Sequence, residues 1–238
     1  MLRSYFISDL HLDPGRPRVI EAFAAFLRGN RDCAALYILG DLFEAWVGDD
    51  DDSSLAMQVR RLLADFTASG PSLYLMRGNR DFLLGEKFCS EVGASLLPDP
   101  SVIDLYGQAT LLMHGDSLCI DDEDYQAFRQ TVRNPAWQAE VLKRDLAERR
   151  SLAAELRSMS GELKSNKAED IMDASPTAIA RAMNEHGVRQ LIHGHTHRPA
   201  QHDEPCGNRW VLGDWDDTCW IVEATVTGLN LINIDIYL

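Results

Sequence analysis

The sequence predicts an α/β fold: one domain carrying a helical insertion. Short apolar runs recur along the chain, and stretches with helical apolar spacing separate the early ones. Five of these runs end in residue types that ligate metals, as expected of strands that present their carboxyl ends along one edge of a sheet.

At 238 residues the chain is long enough to bury a full core. Its 45% hydrophobic and 25% charged content is that of a soluble globular protein. A net charge of −14 argues against coating nucleic acid, whose phosphates it would repel, and bound cations would offset part of it. Five cysteines, odd in number and without CxxC spacing, read as reduced, mostly core thiols of a cytosolic protein. The first residues run straight into a strand with no signal-peptide pattern. No apolar run approaches the roughly 20 residues of a membrane span, so any membrane contact is expected at the cytoplasmic surface.

Tyr5-Phe6-Ile7 reads as a buried strand leading into Ser8-Asp9-Leu10-His11. In an extended chain Asp9 and His11 share a face while Leu10 points inward, half a shell for a divalent ion. Pro14 and Pro17 mark a loop, and Ile20, Phe23, Ala24 and Leu27 predict a packing helix that ends at Gly29-Asn30. Tyr37 to Leu39 predict a second strand, and Gly40 lets the backbone turn sharply beneath Asp41. Alone, Asp41 would read as a helix cap rather than a ligand. The acidic stretch Asp49 to Asp52 follows, then a helix carrying Leu55, Val59, Leu62, Leu63 and Phe66, stopped by Gly70-Pro71.

Leu73 to Met76 predict a third strand, ending in Arg77-Gly78-Asn79-Arg80-Asp81. Asn79 offers a neutral oxygen ligand, and Arg80 a planar fork suited to phosphate. Phe82-Leu83-Leu84 read as core or as an apolar wall for a ligand. Thr110 to Met113 end in His114-Gly115-Asp116, and Val188 to Ile192 end in His193-Gly194-His195-Thr196-His197. Alternation puts His193, His195 and His197 on one face unless Gly194 turns the chain. His186 and His202 lie outside these motifs and read as structural.

Asp9, His11, Asp41, Asn79, His114, His195 and His197 form a set too large for one ion. Two ions sharing a bridging carboxylate would use it well. Nitrogen and oxygen donors without thiolate favour manganese, iron or zinc over calcium. Two such ions, about 3.5–4 Å apart, clamp both oxygens of an in-line phosphoryl displacement.

From about Asp121 to Asp173 a largely helical stretch interrupts the strand pattern, with breaks at Asn134-Pro135 and Gly161. Residues 129 to 167 hold nine Lys or Arg against five Asp or Glu. Such a locally basic stretch is either a solvated hairpin or a cap. As a cap, its Phe128, Val132, Trp137 and Leu142 could rest with the basic side chains on an anionic membrane surface. Trp210 to Trp215 and Cys219 to Ile236 read as closing strands, with turns at Asp216-Asp217 and Thr227-Gly228 and with Trp210, Trp215 and Trp220 in the core. Repeats, low-complexity segments and a second independent domain are not evident.

DLH at Asp9–His11, GD at Gly40–Asp41, GNRD at Gly78–Asp81, HGD at His114–Asp116 and GHTH at Gly194–His197 together resemble the calcineurin-like metallophosphoesterases. The resemblance implies a four-layered α/β/β/α sandwich with two metals at its edge. It implies that Asp9, His11, Asp41 and His197 hold one ion. Asp41, Asn79, His114 and His195 would hold the other, with Asp41 bridging. Many relatives carry a His after the metal-binding Asn. Here Arg80 stands in that place, and it cannot give up a proton at neutral pH. It can stabilise charge on a phosphate, which suits a leaving group that departs without much protonation.

YILGDLFEAWVGDDD at Tyr37–Asp51, GNRDFLLG at Gly78–Gly85, HGDSLCIDD at His114–Asp122, YQAFR at Tyr125–Arg129 and LIHGHTHRP at Leu191–Pro199 are similar to a narrower family, the UDP-2,3-diacylglucosamine pyrophosphohydrolases of lipid A biosynthesis. That resemblance implies water attack on the α-phosphorus, usually with Mn2+, releasing UMP and 2,3-diacylglucosamine 1-phosphate. It implies substrate contacts at Asn79, Arg80, Asp122, Ser160, Lys164, Lys167 and His195, with Tyr125 and Arg129 as additions and Arg80 and Asp41 as catalytic groups. In some members the Lys164 position holds a different polar residue. It also implies a cap over residues 121–173 and a peripheral location at the cytoplasmic face of the bacterial inner membrane. No obligatory protein partner is implied. The alternative is a metallophosphoesterase acting on a soluble nucleotide or phosphodiester. A non-enzymatic scaffold would require a damaged ligand set, whereas all seven ligands are present.

Overall fold

The computed structural model describes residues 2–165 and 173–236, apart from the side chains of 159–165. Strands β1 (Arg3–Ile7), β2 (Ala35–Leu39) and β3 (Ser72–Met76) run parallel. Every residue of β2 is buried, as a central strand covered on both faces requires. Between them lie the crossover helices α1 (Pro17–Gly29) and α2 (Ser54–Ala68). Pro17 starts α1 where its missing N–H costs nothing, and Ser53 caps α2 by accepting from the Ala56 N–H at 3.2 Å.

A helix α3 (Glu86–Val92) then leads into β4 (Ala94–Leu97), parallel to β3. The acidic stretch helps to build this corner. The Asp49 carboxylate accepts from the N–H groups of Gly85 and Phe88 at 2.9 and 3.0 Å, anchoring the start of α3. With β10 (Thr218–Thr225) and β11 (Gly228–Asp235) the first sheet has the order β11-β10-β1-β2-β3-β4.

The second sheet has the order β5-β6-β7-β9-β8. It comprises β5 (Ser101–Leu105), β6 (Gln108–Met113), β7 (Gln190–His193), β8 (Ala200–Glu204) and β9 (Gly207–Val211). Phe6, Leu39 and Met76 of the first sheet pack with Leu112, Ile192 and Trp210 of the second in one buried cluster. Phe6, Tyr37 and Tyr74 stack across adjacent strands with centroids 4.6 Å apart. Phe23, Val59, Leu63 and Phe88 of α1–α3 cover the other face of the first sheet. Helix α7 (Pro176–Glu185) lays Ile179 and Met183 against Leu111 and Leu191 on the far side of the second. The layers are therefore α/β/β/α, as expected. Trp210 and Trp215 are buried, but Trp220 is only half-buried.

Between β6 and α7 come α4 (Glu123–Val132), α5 (Pro135–Leu142) and α6 (Leu146–Ser165). Asp122 and Asn134 cap α4 and α5. Val132 and Val141 are buried, Phe128 and Trp137 pack on the core, and Leu142 is 43% exposed. Several arginines of the locally basic stretch pair with acids of the sandwich. Arg129 and Arg133 meet Asp116, Arg149 meets Asp50, Arg150 meets Asp51 and Asp52, and Arg157 meets Glu44. Arg149 is buried, and a buried guanidinium needs such a partner, whereas Arg150 and Arg157 pair at the surface.

Candidate metal centre

Because β1, β2 and β3 are parallel in one sheet and β6 and β7 in the other, their carboxyl ends deliver Asp9, His11, Asp41, Asn79, His114, His195 and His197 to one edge. The extended Asp9–His11 segment expected from alternation does not occur. Asp9, His11, Asp41, His195 and His197 have φ of 55, 48, 53, 69 and 54°. Tyr106 is the other non-glycine residue with positive φ among the described residues. Left-handed backbone is unfavourable for such residues and persists only where surroundings over-determine it. Here the loops hold one another: Asp9 N donates to Gly40 O at 3.1 Å and His11 N to Asp41 O at 3.0 Å. Arg80 N donates to Asp41 Oδ1 at 2.7 Å and His195 N to Asp9 Oδ2 at 2.9 Å. Gly78 is required by the same crowding, since a Cβ there would stand 2.0 Å from Asp41 Oδ1.

The donors converge in two overlapping groups. Ligand atoms of Asp9, His11 and His197 lie within 4.8 Å of one another, as do those of Asp9, Asp41 and His114. His11 Nε2 is 3.3 Å from His197 Nε2, and these face Asp9 Oδ1 at 3.9 and 3.4 Å. Asp41 faces both groups, with Oδ2 3.8 Å from His11 Nε2 and Oδ1 3.9 Å from His114 Nε2. Asn79 Oδ1 lies 2.9 Å from His114 Nε2 and 2.8 Å from His195 Nδ1. Asp9 Oδ1 is buried and accepts no hydrogen bond. A buried anionic oxygen facing imidazole nitrogens fits a divalent cation.

The electrostatics agree. Burial pushes the Asp9 carboxyl up, but the neighbouring imidazole of His197, with those of His114 and His11, holds it far below the usual range. Burial pushes His114 down, while Asp41, Asp116 and Asp9 raise it to about 9. His197 is likewise opposed by burial but raised to about 10 by Asp214 and Asp9.

His193 does not join the site. It is buried in β7, its Nδ1 2.9 Å from Gly194 O and its Nε2 3.3 Å from Arg209. The chain turns instead at His195, with φ of 69° and the Thr196 N–H donating to Gly194 O at 2.9 Å. Three acids that sequence reasoning left out support the ligands. Asp81 accepts from the N–H groups of Gly78, Leu42 and Asp41 at 2.6, 2.8 and 3.3 Å, tying two ligand loops together. Glu44 Oε2 is 2.9 Å from His11 Nδ1, and Asp214 Oδ2 is 3.5 Å from His197 Nδ1. Asp81 stands inside the GNRD string, which could have signalled it; Glu44 and Asp214 have no comparable local cue.

Among the expected substrate residues, Arg80 lies beside the centre with Nη1 4.0 Å from Glu44 Oε1. Asp122 is buried at the head of α4. The Tyr125 ring stacks on His195 at 5.7 Å while its hydroxyl donates to Asp116 Oδ2 at 2.8 Å. Arg129 is engaged with Asp116 and Asp99 at 2.9 and 3.5 Å, so the structure does not place it as a free contact. Ser160 and Lys164 fall on α6 with side chains outside the described set, and Lys167 lies outside the described residues. A cavity of about 440 Å³ opens at Asn79, Arg80, His195 and His197 and continues between Trp46, Phe82, Leu83, Phe128, Trp137, Leu152 and Leu156. Phe82 and Leu83 are thus both core and wall.

A double sheet with imidazoles and carboxylates gathered at its shared edge is the build of a metal-dependent phosphoesterase, and the family model for calcineurin-like phosphoesterase matches residues 2–199. The chain is 51% identical to a UDP-2,3-diacylglucosamine hydrolase of Cellvibrio japonicus (strain Ueda107), over 99% of this chain and 100% of that one. It is 50% identical to the enzyme of the same name from Pseudomonas aeruginosa (strain UCBPP-PA14), over 94% and 95%, and 51% identical to that of Aromatoleum aromaticum, over 91% and 90%. It therefore belongs to the UDP-2,3-diacylglucosamine hydrolase family and is a hydrolase with a divalent-metal site. A solved archaeal phosphodiesterase shares the fold at 11% identity and a TM-score of 0.52, over 98% of this chain and 100% of that one.

Proposed function

We propose that this protein hydrolyses the pyrophosphate bond of UDP-2,3-diacylglucosamine, releasing UMP and 2,3-diacylglucosamine 1-phosphate by water attack on the α-phosphorus, as a step of lipid A biosynthesis. The observation that carries the reading is the apolar cavity beginning at Asn79, Arg80 and His195, beside the ligand edge. A diphosphate bonded to a diacylated sugar needs that junction of a polar centre and an apolar chamber.

Asp9, His11, Asp41 and His197 would hold one Mn2+, and Asp41, Asn79, His114 and His195 a second, with Asp41 bridging. Bound there, the ions would supply Lewis-acid polarisation of the phosphoryl oxygens and a nucleophile from water at neutral pH. The chain's own residues do the rest. Arg80 meets charge developing on the diphosphate, and lacking a proton to give, it suits a sugar phosphate as leaving group. Tyr125 borders the cavity next to His195. The segment 121–173 acts as a cap within a single domain of residues 1–238, with Asp122, Ser160, Lys164 and Lys167 assigned to it as substrate contacts by the family resemblance. Its wall of Phe128, Trp137, Leu152 and Leu156 excludes water from the acyl chains.

The reading extends to peripheral association with the cytoplasmic face of the bacterial inner membrane. A substrate with two acyl chains resides in a membrane, and exposed Leu142 stands beside the exposed Lys143 and Arg144. No helix among the described residues is long and apolar enough to cross a membrane.

The deciding experiment is hydrolysis of UDP-2,3-diacylglucosamine in ¹⁸O-water, with Mn2+ present or chelated, read by mass spectrometry. Label in UMP only with Mn2+ is expected. Label in the sugar phosphate would overturn attack at the α-phosphorus. Hydrolysis of soluble phosphodiesters alone would overturn the substrate.

A further inference from the structure

His11 and His197 are held in matching ways. Each presents Nε2 to Asp9 Oδ1, and each turns Nδ1, on the opposite side of the ring, to a carboxylate: Glu44 Oε2 at 2.9 Å and Asp214 Oδ2 at 3.5 Å. With an ion bound, a carboxylate beside Nδ1 would hold the proton on that side, present the Nε2 lone pair to the ion and orient the ring. Neither acid can itself ligate an ion at the Nε2 side, because the imidazole stands between. Glu44 carries a second connection. Its other oxygen, Oε1, lies 3.1 Å from Arg157 Nε on α6, and Arg157 also approaches Asp13 at 3.6 Å. One carboxylate thus touches a candidate metal ligand with one oxygen and the cap helix with the other.

We infer that Glu44 and Asp214 are positioning residues that fix the imidazoles of His11 and His197, and that Glu44 also transmits the seating of α6 to the metal centre through Arg157. The inference rests on the proposed assignment of His11 and His197 as metal ligands. It makes cap closure and metal affinity reciprocal: a displaced α6 frees Glu44 from Arg157 and loosens the His11 ring, and a bound ion that fixes His11 steadies α6.

The test is Mn2+ affinity of the full chain, stripped by chelator and titrated by calorimetry and electron paramagnetic resonance. E44A is expected to weaken binding at one site by about 10–100-fold, and E44Q by less, since the amide oxygen restores an acceptor for Nδ1–H. D214A should fall in the same range as E44A. R157Q should weaken binding about threefold in the native background and not at all in the E44Q background, the signature of coupling through one group. Thermal midpoints of the metal-free variants close to that of the native chain would separate these losses from misfolding. E44A and D214A binding Mn2+ as tightly as the native chain would overturn the positioning role. An equal R157Q effect in both backgrounds would overturn the link to α6. H11A serves as the reference: if it binds Mn2+ as well as the native chain, the ligand assignment itself fails, and the positioning inference falls with it.

Discussion

Arg149 grips Asp50 with both arms of its guanidinium, Nη1 to Oδ1 at 2.7 Å and Nη2 to Oδ2 at 2.5 Å, and Nη1 also donates to Val47 O at 2.6 Å. The arginine is buried while the aspartate is largely exposed. The pair therefore works as a peg that fixes α6 to the loop after β2, with its main effect on geometry.

Replacing that peg should loosen α6 before it unfolds the sandwich. Arg149→Ala is expected to cost about 1–3 kcal/mol of stability, within the range for loss of one buried hydrogen-bond network. Hydrogen exchange over residues 146–158 should rise while β1 to β3 stay protected. Uniform loss of protection across the chain would contradict the peg.

Asp81 should matter more. Removing its carboxylate in Asp81→Ala leaves the N–H groups of Gly78, Leu42 and Asp41 without their acceptor. Each orphaned buried donor costs on the order of 1–3 kcal/mol, so a loss of about 3 kcal/mol and weakened Mn2+ uptake are expected together. Denaturant unfolding and metal titration check this.

Metal uptake should release protons. In the metal-free chain the rings of His114 and His197 have pKa values of about 9 and about 10, so both carry a proton at pH 7. A ligating imidazole must be neutral, so Mn2+ affinity should fall on acidification from pH 8 to 6, by about tenfold per pH unit for each proton displaced. Stability of the metal-free chain runs the opposite way in sign. Both folded values are raised, so the two histidines stabilise fully below pH 6.5, and the contribution is lost as pH rises through 9 to 10. Calorimetry in buffers of different ionisation enthalpy counts the protons, and a count of zero would refute the linkage.

Arg80→Ala should lower kcat by about 10²–10³-fold, as for loss of one preorganised charge stabiliser, with Mn2+ affinity largely retained. Steady-state kinetics with a metal titration separates the two effects. Unchanged kcat would remove Arg80 from the chemistry.

Leu152 lines the apolar chamber. Leu152→Trp should fill it and raise KM for UDP-2,3-diacylglucosamine about tenfold or more, corresponding to an overpacking cost of roughly 1–3 kcal/mol. Hydrolysis of bis-p-nitrophenyl phosphate should be unchanged. An equal loss on both substrates would mean that the chamber does not receive the acyl chains.

The first three strands, their two crossover helices and all seven ligand candidates were legible because their signals are local: apolar runs, helical periodicity and a donor at each strand end. Helix α3 and strands β4, β5 and β8 were not. They are short and half-exposed, and the three strands are held by pairing with a neighbour, β4 with β3, β5 with β6 and β8 with β9, rather than marked by an apolar pattern of their own.

By itself the sequence determined which donors reach the edge, since residue type and order decide the ligand chemistry and short apolar runs decide the strands. Only the tertiary structure decided how those donors stand. The left-handed backbone at Asp9, His11, Asp41, His195 and His197 is locally unfavourable and exists because neighbouring loops supply the hydrogen bonds that hold it. The same holds for the arginines of α4–α6. Read along the chain they are a basic surplus; in the fold, the sandwich pairs the buried Arg149 with Asp50 and the exposed Arg157 with Glu44, acids about a hundred residues away.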